Sequence, residues 1–141
     1  MKPTPSAELA ARLRQAVTRM NRRLRATSLG EISPAQASML ATIEMLDAPS
    51  LGELAAAEQI QPPSVTRLVK GLQESGHIVQ KTDENDRRTT RVAISPQGKR
   101  ALNDIRDRKT QFLNSKLSDL STKELHKAEE MVALLERLLG E

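Results

Sequence analysis

Cysteine, tryptophan and tyrosine are absent from this chain; phenylalanine occurs once, as Phe112, and histidine twice, as His77 and His126. Without cysteine there is no disulfide, no thiol nucleophile and no thiol redox sensor. The two histidines lie far apart in sequence, so a zinc site would have to recruit distant carboxylates, and no metal is expected. There is no Ser/His/Asp set, no paired-carboxylate motif and no glycine-rich phosphate loop, which argues against an enzyme and against a bound cofactor. Nor does any run approach the roughly 20 apolar residues that span a bilayer. The opening stretch from Met1 to Glu8 lacks the apolar segment of a secretory signal, so a soluble, cytoplasmic protein is expected.

What is present is a helical composition with a basic centre. A chain of 141 residues amounts to one domain, 1–141, with a real but modest core. Its apolar residues, 38% of the total, are overwhelmingly Leu, Ile, Val, Met and Ala, which suit packed helices better than an extensive sheet. Residues 61–100 carry eight basic side chains (Arg67, Lys70, Lys81, Arg87, Arg88, Arg91, Lys99, Arg100) against four acidic ones (Glu74, Asp83, Glu84, Asp86). The rest of the chain carries fourteen of each sign, so the net charge of +4 sits on that one segment. Such a segment is the electrostatic footprint of a protein that meets a polyanion. A solvated surface loop is the alternative, and it would not need its acids so outnumbered.

Helix starts are legible. Ser33-Pro34-Ala35-Gln36, Ser50-Leu51-Gly52-Glu53 and Ser121-Thr122-Lys123-Glu124 each set a hydroxyl at an N-cap with Glu or Gln three residues on, the spacing for reciprocal capping. Ser95-Pro96 marks a fourth start, with proline at the first helical position. Leu9, Leu13, Val17, Met20 and Leu24 line one face of a helix from about Ser6 to Thr27, and Met39, Leu40, Ile43 and Leu46 line a second. A short third helix around Leu54-Ala55 must end near Gln59-Ile60-Gln61, because Pro62-Pro63 cannot continue it. Val65, Leu68, Val69 and Leu72 follow the spacing of a fourth, closed by Gly76 as a left-handed cap. Helix, short turn, helix is the layout of a helix-turn-helix. After Gly76 the period changes to two short strands, Ile78 to Thr82 and Thr90 to Ile94, around a seven-residue loop: a wing.

From Pro96 onward the pattern is helical again, marked by Ala101, Leu102, Ile105, Phe112, Leu113 and Leu117, then by Leu125, Ala128, Val132, Leu135 and Leu139. The expected fold is mainly α with a small β-hairpin wing. A winged helix-turn-helix at about 34–95 lies between terminal helices at about 6–27 and 97–139. Those terminal helices have more apolar surface than a small winged unit can cover, so they are expected to pair across a two-fold axis; folding back onto their own core is the alternative. The basic run Arg19 to Arg25 could serve a membrane surface or nucleic acid. A packed dimer helix with a wet basic side accounts better for Glu8 and the apolar stripe.

On the fourth helix, 100° per residue puts Val65, Leu68, Val69 and Leu72 on one side and Pro63, Arg67, Lys70 and Glu74 on the other, flanked by Ser64 and Thr66. A major groove admits one such helix, whose N-terminal residues approach base edges. Gln61, Ser64, Thr66 and Arg67 are the candidates for base contact: Arg67 for guanine, the Thr66 methyl for thymine, with Lys70 better placed for phosphate. Ser50 sits at a helix N-terminus where a phosphate is attracted, though capping alone would explain it. On the wing, Arg88 is the candidate for a narrow A·T-rich minor groove, with Asp86 orienting it; Arg87 and Arg91 are assigned to the DNA backbone.

These residues resemble the multiple antibiotic resistance regulator (MarR) family of winged-helix transcription factors. Asp86-x-Arg88, five residues, then Ile94-Ser95-x-x-Gly98 is similar to the family's wing signature Asp-x-Arg-x5-Leu-Thr-x-x-Gly. Leu54-Ala55 and Ser64-Val65-Thr66-Arg67-Leu68-Val69, followed by Leu72 and Gly76, look like its helix-turn-helix core. The resemblance implies a sequence-specific DNA-binding regulator, usually a repressor, acting as a homodimer on a pseudo-palindromic operator in double-stranded DNA. It also implies release, in many members, by a small phenolic or other amphipathic effector. The missing cysteines set the chain apart from thiol-sensing members, and its single aromatic residue offers little stacking surface to a planar ligand. No effector site is assigned, nor any role for His77, which stands where an aliphatic residue is commoner. A winged helix that binds proteins instead is the competing reading.

Overall fold

The computed structural model describes residues 6–28 and 30–141. Residues 1–5, part of the opening stretch judged above to lack a signal segment, and Leu29 lie outside the described residues. The chain runs α1 (Ala7–Thr27), α2 (Pro34–Leu46), α3 (Leu51–Glu58), α4 (Pro62–Glu74), β1 (Ile78–Thr82), β2 (Thr90–Ile94), α5 (Pro96–Leu117) and α6 (Thr122–Leu139). The expected mainly helical architecture with a hairpin wing is the one observed. Among the described residues no helix is long and apolar enough to cross a membrane.

Hydroxyl caps start five of the six helices: Ser6, Ser33, Ser50, Ser95 and Ser121 each accept a hydrogen bond from an amide in the first turn, worth about 1 kcal/mol apiece. Reciprocal capping was expected at three of these sites, and both halves form at one, Ser33 with Gln36. At Ser50 and Ser121, among the described residues, only the Ser-to-amide half is present. The reason at Ser50 is competition, because the Glu53 carboxylate faces the Arg91 guanidinium, 3.5 Å away. A cation is a stronger partner for it than a backbone amide.

The core is confined to the middle of the chain. Ile32, Met39, Leu40, Ile43, Leu54, Val65, Val69, Leu72, Ile78, Val92, Ala101, Leu102 and Ile105 form one buried cluster, drawn from α2, α3, α4, the hairpin and the first half of α5. Full burial of each large side chain stabilises the fold by about 1.5–3 kcal/mol. No residue of α1 or of α6 is buried. Folding of the terminal helices onto their own core is therefore not what the chain does: Leu9 stays 61% exposed and Leu139 75%.

The strands pair antiparallel from Ile78 opposite Ile94 to Thr82 opposite Thr90. Two glycines fix how the wing joins the helices. Gly76 has φ +81°, a left-handed conformation that turns the chain out of α4. At Gly98 any Cβ would lie 2.1 Å from the His77 carbonyl oxygen, so α5 can start against β1 only with glycine there. The loop between α2 and α3 lies along the other edge of β2, where the Val92 amide donates to the Pro49 carbonyl at 3.0 Å and Ser50 bridges to Arg91.

Candidate nucleic-acid interface

The helix-turn-helix is α3, the turn at 59–61 and α4. α3 stops because Gln59 adopts a left-handed conformation, φ 54°, and Pro62 and Pro63 then open α4. Those prolines have no N–H to offer. The next two amides, of Ser64 and Val65, both donate to the Gln61 carbonyl at 2.9 and 3.3 Å. The start of α4 therefore presents side chains rather than backbone donors. Gln61, whose side chain makes no cap hydrogen bond, is exposed there together with Pro63, Thr66 and Arg67; Ser64 is half-buried. The Thr66 hydroxyl donates back to the Pro62 carbonyl at 3.1 Å, leaving its methyl as the outward group. Farther along, exposed Lys70 lies 4.0 Å from Glu74. Val65, Val69 and Leu72 are buried on the opposite side, so the apolar stripe fixes which face points outward.

Ser50 accepts from the Glu53 amide at 3.2 Å, and this leaves its hydroxyl proton available to an anion at the start of α3. Capping and a phosphate contact are thus chemically compatible at this residue.

Two aspartates organise the wing. At its tip, one Asp86 carboxylate oxygen accepts from the Arg88 amide at 3.0 Å and from Arg88 Nε at 3.3 Å, while the other accepts from the Thr89 hydroxyl at 3.3 Å. Arg88 is held by its Nε only; its side chain is 94% exposed. Arg87 is exposed beside it. At the base, Asp83 accepts from the Asn85 amide at 2.8 Å and from Arg91 Nε at 2.8 Å. The hydrogen bond from Arg91 is the largest of the effects that hold the Asp83 carboxyl below its ordinary range, followed by the Asn85 amide, and the same pair raises Arg91. Arg91 Nη1 also donates to the Ala48 carbonyl at 3.1 Å and faces Glu53.

This geometry revises one assignment. Arg91 was given to the DNA backbone, but its guanidinium is engaged by two carboxylates and a carbonyl, braced between the wing and the loop before α3. The sequence showed Asp83 only as one acid in a charge count. The signal that could have found the brace is the Asp83-x-Asn85 spacing of an Asx turn at a strand end. A second tie was also missed: Gln73 of α4 donates to Gln80 of β1 at 2.9 Å, and Gln80 to the Thr90 hydroxyl at 3.5 Å, joining the exposed end of the wing to α4.

A family model described as the MarR family matches residues 32–90. An uncharacterised HTH-type transcriptional regulator of Mycobacterium bovis is 31% identical over 119 residues, covering 84% of this chain and 83% of the relative. Among solved structures, a putative transcriptional regulator of Pseudomonas aeruginosa superposes with a TM-score of 0.84 at 31% identity, over 95% of this chain and 96% of that one. A mutant of MepR from S. aureus bound to an oligodeoxyribonucleotide shares the fold, with a TM-score of 0.70 at 20% identity over 94% and 96% of the two chains. An outward recognition helix, a wing held by Asp86 and relatives matched over most of their length agree: the chain belongs to the MarR family of HTH-type transcriptional regulators.

Proposed function

We propose that this regulator is a homodimeric repressor that holds a pseudo-palindromic operator, with α4 of each protomer in a major groove and Arg88 of each wing in the flanking minor groove. The observation that carries this reading is the Asp86 carboxylate, which aims an almost fully exposed arginine away from the protein on the segment that holds the whole net charge. Gln61, Pro63, Ser64, Thr66 and Arg67 meet base edges, Lys70, Arg87 and the Ser50 hydroxyl meet phosphate, and Arg91 braces the wing. The DNA complex of the structural relative MepR supports the same use of the fold. A regulator of this kind acts in the cytoplasm.

The second protomer is supported by the terminal helices. Leu9, Leu13, Val17 and Met20 of α1 and Met131, Leu134, Leu138 and Leu139 of α6 are left open in a single chain, far more apolar helix surface than a soluble monomer leaves to water. A two-fold partner covers it, and sets the half-sites about one helical turn apart. Release by a small molecule is supported by a cavity of about 290 Å³ between α1, α2 and α5. Ile32 and Leu102 give it an apolar floor, and Arg25, Arg106 and Lys109 a cationic rim, which fits a small amphipathic anion better than a neutral planar drug.

Selection of bound fragments from genomic DNA, followed by gel-shift titration of the enriched site, tests the proposal. A pseudo-palindrome bound by two protomers is the expected outcome. Failure to retain any duplex even at 50 mM salt, where cationic binders hold DNA most tightly, overturns it.

A further inference from the structure

We propose that His77 is a positioning residue: it fastens the loop between α1 and α2 to the C-terminal end of the recognition helix, with a grip that depends on the proton it carries. The inference rests on the DNA-reading role given to α4. His77 is 2% exposed, and both ring nitrogens have partners. Nε2 lies 3.0 Å from a carboxylate oxygen of Glu31, 46 residues away in sequence, and Nδ1 lies 2.6 Å from the Ser75 hydroxyl. The Ser75 oxygen is in turn 3.0 Å from the Gly71 carbonyl and 3.2 Å from that of Leu72, at the last turn of α4. The His77 amide donates to Leu72, and its carbonyl accepts from Ser95 at the start of α5. One side chain thus joins the helix that lies outside the core to the helix that reads DNA. A residue needed only to fill this volume would be aliphatic.

The hydrogen bonds accommodate two proton states without leaving a buried atom unpaired. A carboxylate only accepts, so Nε2 carries a hydrogen in both. In the neutral ring, Nδ1 accepts from the Ser75 hydroxyl. In the charged ring, Nδ1 donates to Ser75, whose own hydrogen turns to the Gly71 or Leu72 carbonyl. The cation then lies between the Glu31 carboxylate and the negative end of α4, both of which favour it. The other charged groups near this link are Asp104 and Arg108 of α5, which with Glu31, Gly30 and Ile32 line a cavity of about 230 Å³. Glu31 itself is mostly exposed, so it can be changed without opening the core. Proton uptake tightens the clamp, fixing the angle between α1 and α4 and hence the spacing of the recognition helices.

The chain has only one other histidine, so a His126→Gln background leaves His77 as the sole imidazole. In that background, operator affinity is measured by fluorescence anisotropy from pH 8 to pH 5.5 at constant ionic strength, across the range where histidines change charge. Affinity is expected to rise about fivefold or more on acidification. Glu31→Gln should flatten most of that rise and His77→Gln all of it, with affinity at pH 8 nearly unchanged. Hydrogen exchange of the amides at the end of α4, Glu74 to Gly76, should slow on acidification in the parent but not in Glu31→Gln. Superimposable pH profiles for the parent and Glu31→Gln overturn the proposal, and this arm decides the matter if His77→Gln fails to fold. If duplex is bound at no pH, the operator reading fails and the exchange measurement alone judges the clamp.

Discussion

The tip and the base of the wing each hold one aspartate and one arginine, and the two pairs do opposite things. At the tip, Asp86 touches Arg88 through the backbone amide and Nε, leaving the outer guanidinium nitrogens in solvent. At the base, Asp83 meets Arg91 at 2.8 Å, and Ala48 and Glu53 engage the rest of that guanidinium, whose side chain is 34% exposed against 94% for Arg88. The same chemistry aims one arginine outward and ties the other inward. The difference is supplied by the chain beside β2: the loop before α3 brings a carbonyl and a carboxylate to the base of the hairpin, while the tip projects beyond any other element's reach.

The largest effect is expected from Arg88→Ala. Operator affinity should fall by about 1–3 kcal/mol, mostly at flanking A·T positions, with Tm unchanged, as read by gel shift on operators with altered flanks and by calorimetry. Asp86→Asn sharpens the comparison, because it removes a negative charge from a DNA-facing surface. Net charge alone predicts tighter binding, whereas loss of the carboxylate that directs Arg88 predicts binding several-fold weaker, and the weaker result is expected in the same titration. Arg91→Gln should lower Tm and weaken binding less than either change. It should also leave the salt dependence of binding unchanged; a slope reduced by about one would return Arg91 to the phosphate.

The smallest effect concerns Asp83 and lies in the acid range. Its carboxyl is held below the ordinary 3.8 in the folded chain. Its contribution to stability is therefore complete above that value and is lost as pH falls through the lowered one. Asp83→Asn should flatten the acid limb of a Tm-against-pH curve between about pH 2 and 4 and shift Tm little at neutrality.

Much of this was legible in the sequence because the signals were local. Proline pairs, hydroxyl caps and a change of apolar period bounded every element, and the strand limits at Ile78, Thr82, Thr90 and Ile94 agree with those observed. The placement of Arg67 and Lys70 on the outer face of α4 followed from helical geometry alone. What escaped were ties between residues distant in the chain: Arg91 to Ala48, His77 to Glu31 and Gln73 to Gln80. A sequence gives the charge of Arg91 but not the partner that folding brings to it, and Glu53, read as half of a capping box, was diverted for the same reason.

The double proline at the head of α4 carries one more consequence. A helix normally opens with unfilled donors that pull in any phosphate within reach. Here two of those donors are missing and the next two are already occupied, so the tip that enters the groove has no indiscriminate attraction for the DNA backbone. Preference among base pairs rests on Gln61, Ser64, Thr66 and Arg67. Replacing one of them changes which operator is chosen while leaving general adhesion to DNA to Lys70, the wing and the start of α3. Selectivity and stickiness can therefore vary independently in this scaffold.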